Sequence, residues 1–153
     1  MRIHDQASTL ASVTDEDLIA MLGVTARTAC RRMTTGQLGA LSGSVAQAEL
    51  LPAKPYWDRK AVAHAEAIRL LGDVTGDPVL IRLAGLAAGW IYDLAVAAGP
   101  RADRIILSFR RRLLGHLRAG DAEAAGLEIE NHLRVLCFME RISRGGGGRD
   151  KAA

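Results

Sequence analysis

Hydrophobic residues recur along the chain at the three-to-four spacing of one helix face, as in Leu38, Leu41, Val45 and Ala48, and runs of β-branched residues are few. Proline, glycine and capping residues divide this pattern into six helical segments with short joints. Thr14, with Asp17 three residues on, reads as an N-cap that opens a first segment to about Met33, and Gly23 is a candidate break within it. Thr34 or Thr35 opens a second segment that Pro52 stops after Leu51, and a third runs from Tyr56 to about Val74. Asp77-Pro78 pairs a cap with a proline at the first helical position and starts a fourth segment, which ends at Ala98 before Gly99-Pro100. The fifth covers about Arg101 to Ala119, and Gly120-Asp121 supplies a terminal glycine and a fresh cap for the sixth, which reaches about Ser143. The pattern predicts an all-α, antiparallel bundle of six to seven helices over residues 14–143. Residues 1–13 form an extension, and the Gly-rich tail 144–153 has no apolar anchor and is expected to be mobile.

Composition narrows the class. With 153 residues, 49% hydrophobic and 24% charged, the chain can bury one core of its own and is not disordered throughout. The net charge of +3 comes from 17 Arg and 3 Lys, a weak signal for nucleic acid. Cys30 and Cys137 lie far apart with no CxxC spacing, so neither a disulfide framework nor a cysteine zinc site is signalled, and a reducing, cytoplasmic setting is expected. Polar His4, Asp5 and Gln6 follow the first residues, unlike a secretory signal. The apolar stretch Leu83 to Ala98 is short for a membrane span and contains Asp93, so it reads as a buried helix with no membrane partner. No Gly-rich phosphate loop, GxSxG or HExxH is present, and the expectation is that the chain is not an enzyme. Glu128/Glu130 and Asp15/Glu16/Asp17 read as solvated faces or dipole-complementing ends.

Three stretches carry a family resemblance. FRRRLLGHLRAGDAEAAGLEIENHLRVL, Phe109 to Leu136, is similar to the end of the FCD domain, the C-terminal effector domain of FadR-type regulators in the GntR family. Gly120, Asp121, Ala125 and His132-Leu133 occupy the places of its Gly-Asp-x-x-x-Ala and His-Leu elements. WDRKAVAHAEAIRLLGDVTGDPVLIRLAG, Trp57 to Gly85, resembles the stretch in which a histidine helix leads to Gly-Asn-Pro-x-Leu, with Asp77 for Asn. TARTACRRMTTGQLGAL, Thr25 to Leu41, resembles the junction of the first two helices. The resemblance covers about Thr14 to Glu140 and implies a ligand-sensing domain that forms a homodimer.

Family members that bind a divalent metal use an Asp and a His four residues apart plus one His from each of the last two helices. His64 and His132 take two of these positions here, but Lys60 stands at the Asp position and Arg110 at the middle His position. Two cations repel an ion, so zinc or a similar metal would need His116 or Glu66 to swing in, and no metal is expected. Lys60, His64, Arg110 and His132 would instead line a cationic pocket for a small carboxylate or phosphate effector, with Trp90 in the Trp90-Ile91-Tyr92 patch at its apolar end. Against this stands the plainer reading that these are surface or satisfied core residues.

Two further readings stay open at the level of sequence. Thr14 to Met33 also resembles a helix-turn-helix with Gly23-Val24 at the turn and Thr25, Arg27, Thr28, Arg31 and Arg32 on a recognition helix, although no wing follows. The run Arg110-Arg111-Arg112 points in three directions on a helix and does not make a groove-facing stripe. With residues 1–13 alone ahead of the first segment, no complete winged helix fits, so operator DNA is expected as a partner only if a winged-helix domain is supplied elsewhere. A non-sensing helical adaptor would share the composition.

Overall fold

The computed structural model describes residues 13–147. Six α-helices follow one another: α1 (Asp15–Arg32), α2 (Thr35–Glu49), α3 (Trp57–Thr75), α4 (Pro78–Ala98), α5 (Asp103–Ala119) and α6 (Ala122–Gly147), with a 3-10 turn at Pro100–Ala102 before α5. No strand occurs among the described residues, and the fold is the expected all-α bundle. Residues 1–12 of the expected extension and 148–153 of the expected tail lie outside the described residues.

The predicted starts are made by the groups that predicted them. Thr14 Oγ1 accepts from the Asp17 amide at 3.1 Å while Asp17 Oδ2 accepts from the Thr14 amide at 3.2 Å, a reciprocal cap that Thr34 and Gln37 repeat at the start of α2. Asp77 Oδ1 accepts from the Val79 and Leu80 amides, and Asp121 Oδ1 from the Ala124 amide. Gly120 adopts φ 67°, the left-handed conformation that lets α5 stop and α6 start two residues later. Helix α6 extends past Ser143 into the glycine run, because Arg144 pairs with Glu140 one turn back and Arg101 Nη2 donates to Ser143 Oγ at 2.8 Å.

The core is built of small residues at the helix crossings and large ones between them. Ala26, Ala61, Ala84, Ala95 and Ala125 are fully buried, and Ile68, Ile91, Phe109, Ile129 and Leu136 fill the space they leave. Helix α6 packs against α1, α4 and α5, and α3 packs along α4, while α2 lies across α3 and α5 at the edge of the bundle. It contributes only Leu41, Val45 and Ala48 as buried residues. The α3/α4 crossing is tight at Gly72, where an added methyl would overlap that of Ala84.

Four expectations change. Thr14–Met33 is not a helix-turn-helix: α1 runs unbroken through Gly23. Gly23 is glycine because a side chain there would strike the Glu130 carboxylate and the Arg27 guanidinium, not because the chain turns. Arg27 is held by Glu123 at 3.1 Å and Glu130 at 3.3 Å from α6, Arg31 lies 3.8 Å from Glu123, and Arg32 donates to the Thr75 carbonyl, so these arginines join helices. Glu128 and Glu130 are mostly covered and paired to Arg112 and Arg27 rather than solvated. Helix α4 is buried on one face only, for Val79, Leu86 and Val96 are exposed. It is long and apolar enough to cross a membrane by length and composition, a test that the core helix of a bundle also passes.

Gly72→Ala should cost about 1–3 kcal/mol through overpacking at the crossing, whereas Gly115→Ala, which meets open space on α5, should be neutral or gain up to about 1 kcal/mol. Denaturant midpoints check both, and an unchanged midpoint for Gly72→Ala would refute the close α3/α4 approach.

Candidate functional site

Of the polar residues singled out in the sequence, His64, Arg110 and His132 meet in the bundle interior from three helices, while the buried Lys60 is turned to Leu51 and Asp103. Lys60 and His64 lie one turn apart on α3, Arg110 lies on α5 and His132 on α6, and each is at most 6% exposed. A bundle of this size buries charged side chains only when something holds them or when they serve another end.

The two imidazoles hold each other. His64 Nε2 and His132 Nε2 stand 2.9 Å apart, so one carries a proton and donates it to the other's lone pair. Phe109 stacks on His132 with ring centroids 3.8 Å apart and planes 5° from parallel, and meets His64 edge-on at 5.8 Å. Burial first, then His132 and Arg110, pushes the His64 pKa well below the ordinary imidazole value of 6.5. Burial and the positive charge of Arg110 push that of His132 down to about 3. Both rings are therefore neutral at physiological pH. His64 Nδ1 is buried and meets no partner among the described residues.

Lys60 is already satisfied. Its ammonium donates to the Leu51 carbonyl at 2.9 Å and sits 2.8 Å from Asp103 Oδ1, so it ties the α2–α3 joint to the start of α5. Arg110 is not satisfied. Its Nε and Nη2 are buried with no acceptor among the described residues. Burial lowers its pKa while Asp103 and Glu49 oppose that shift, and a guanidinium titrates so high that it stays charged. Those two carboxylates are engaged by Lys60 and by Arg111, at 3.6 Å from Glu49. Arg110 is among the residues lining an apolar cavity of about 10 Å³, with Leu41, Val45, Ile68, Phe109 and Leu114, room for about one water.

Neither Lys60 nor Arg110 points to solvent, so the surface alternative is wrong for both. Trp90 is misplaced: it is half-buried on α4 beside Asp15, Asp93, Glu140 and Arg144, around a separate cavity of about 380 Å³. Its neighbour Ile91 faces the core instead, one step of about 100° around the helix. The sequence reading missed Asp103 and Phe109. Asp103 lies seven residues before Arg110, two turns along the same face, and that spacing was the available signal.

Among the described residues no three His, Cys, Asp or Glu side chains converge. Neither alternative ligand swings in, because His116 lies 3.7 Å from Glu128 and Glu66 is gripped by Arg69 Nε at 2.9 Å. Cys30 and Cys137 are buried free thiols whose pKa values burial raises, to about 11 for Cys137. Compared with known proteins, the chain matches no family model and no curated protein.

The histidine pair makes stability depend on pH with a defined sign. Both pKa values are depressed in the folded state, so the unfolded chain binds more protons below pH 6.5. Their contribution is complete above that value and should fall by about 1.4 kcal/mol per pH unit for each histidine as pH drops. Chemical denaturation between about pH 7 and 5, above the carboxylate range, reads this directly. A flat profile there, or one unchanged by His64→Gln, would contradict the neutral buried pair.

Proposed function

We propose that the chain is the ligand-sensing and dimerisation domain of a GntR/FadR-type transcriptional regulator and that it holds a small carboxylate metabolite in the bundle. The observation that carries this reading is Arg110, a buried cation with two donors unmatched among the described residues. An unpaired buried charge costs stability, and a carboxylate bound to it supplies the missing partner. The reading rests further on the family resemblance of the sequence and on the contact of His64 with His132 beside Arg110. The bundle as it stands has no metabolite-sized space at Arg110, so binding is coupled to opening, and that coupling is what a sensor transmits. Operator DNA is a partner only if a winged-helix domain is supplied elsewhere, since Arg27 and Arg31 of α1 are paired with α6 and Arg32 with the Thr75 carbonyl of α3.

Self-association is proposed through the exposed face of α1 and α4. Leu18, Met21, Val79, Leu83 and Leu86 line a groove of about 570 Å³, and Val79 and Leu86 are 69% and 52% exposed. Apolar surface continuous over two helices is best covered by a second copy presenting the same face.

Two measurements test these parts. Arg110→Met should raise the melting temperature by a few degrees, because it removes a desolvated charge worth about 1–3 kcal/mol, and should abolish the stabilisation that small carboxylates give the unmodified protein. A destabilised Arg110→Met, or one still stabilised by carboxylates, would overturn the assignment. Light scattering should report a dimer that Val79→Glu with Leu86→Glu converts to a monomer, and a monomer before substitution would refute that face as an interface.

A further inference from the structure

The charges and voids around Arg110 restrict what it can hold, taking as premise the proposed carboxylate site. Nε and Nη2 lie on the same edge of the guanidinium, so the two unmatched groups are the pair whose parallel N–H bonds match the two oxygens of a carboxylate. The surrounding charges cancel without it: Lys60 with Asp103, Arg111 with Glu49, and Arg112 with Glu128. One positive charge is left over, and a second negative charge on the ligand would be buried without a partner.

A second cavity adjoins the first. About 200 Å³ lies between α2 and α3, lined by Met33, Ala40, Leu41, Leu70, Leu71 and Val74, mostly apolar, with Gln37 and Asp73 among its polar margin. Leu41 lines both this cavity and the small one beside Arg110. Leu41 sits on α2, the helix with the fewest buried residues and with open space around Gly39 and Gly43, so it belongs to the part of the bundle that opens most readily.

We infer that the site takes a monocarboxylate with a short apolar tail, its head forked on Arg110 and its tail in the α2–α3 cavity once Leu41 moves aside. A tail buried there gains about 0.8 kcal/mol per methylene, about a fourfold gain in affinity for each. Dicarboxylates of equal length are rejected.

Calorimetric titration of the unmodified protein with acetate, butyrate, hexanoate, adipate and inorganic phosphate reads this inference. Affinity should rise about fourfold per added methylene from acetate to hexanoate. Adipate and phosphate should bind more weakly than hexanoate. Arg110→Gln should lose hexanoate binding, and hexanoate should slow amide hydrogen exchange in α2 residues 37–45. Arg110-dependent binding with no dependence on chain length, or a preference for adipate, would sink the tail-pocket inference and leave the carboxylate site standing. Hexanoate binding untouched by Arg110→Gln would refute the placement of the head. Absence of binding by all five probes, with melting temperature unmoved by any of them, would remove the carboxylate site itself and this inference with it.

Discussion

A guanidinium stands inside an apolar helical bundle with no carboxylate paired to it among the described residues, and the other features of the interior are arranged around that charge. Asp103 and Glu49 are the nearest acids that act on Arg110, and each is engaged by another cation. The two histidines beside it remain uncharged, since a second positive group in the same low-dielectric space would add repulsion to desolvation. Their mutual hydrogen bond satisfies one nitrogen of each ring without adding charge. Phe109 closes the space over His132 and keeps solvent from hydrating the pair. Packing would be served equally well by an apolar side chain at position 110, so the buried charge is a stability cost.

The bundle tolerates that cost because the rest of it is well joined. Trp57 Nε1 donates to the Ala95 carbonyl at 2.9 Å and fixes the start of α3 to the end of α4. Arg27 spans α1 and α6 over a floor formed by Gly23 and Gly126, where any side chain would displace it. Lys60 and Asp103 fasten the α2–α3 joint to α5. Helix α2 is the exception: apart from Arg118 on Ser42 and Arg111 on Glu49, its side chains make few polar ties to the other helices, and it covers the Arg110 cavity. A rigid frame with one loosely held cover lets local opening occur at a cost well below global unfolding.

Helix starts were legible in the sequence because a cap acts within three or four residues: Thr14, Thr34, Asp77 and Asp121 each do what their spacing announces. Gly23 was misread because its cause is tertiary, the approach of Glu130 from over a hundred positions away in the chain. Trp90 failed by helical phase, one residue from the buried Ile91. Lys60 was placed correctly in the interior but given the wrong task, since its partners Leu51 and Asp103 become neighbours only once α2, α3 and α5 are folded together. The family resemblance put Arg110 in the interior, whereas its lack of a partner could be seen only with the neighbouring carboxylates in place.

The proposed anion site at Arg110 is open to crystallography with bromide as a monovalent stand-in. An anomalous bromide peak is expected within hydrogen-bond distance of Arg110 Nε and Nη2, with the guanidinium still in the interior. A crystal with no such peak and the Arg110 side chain turned out to solvent would contradict it.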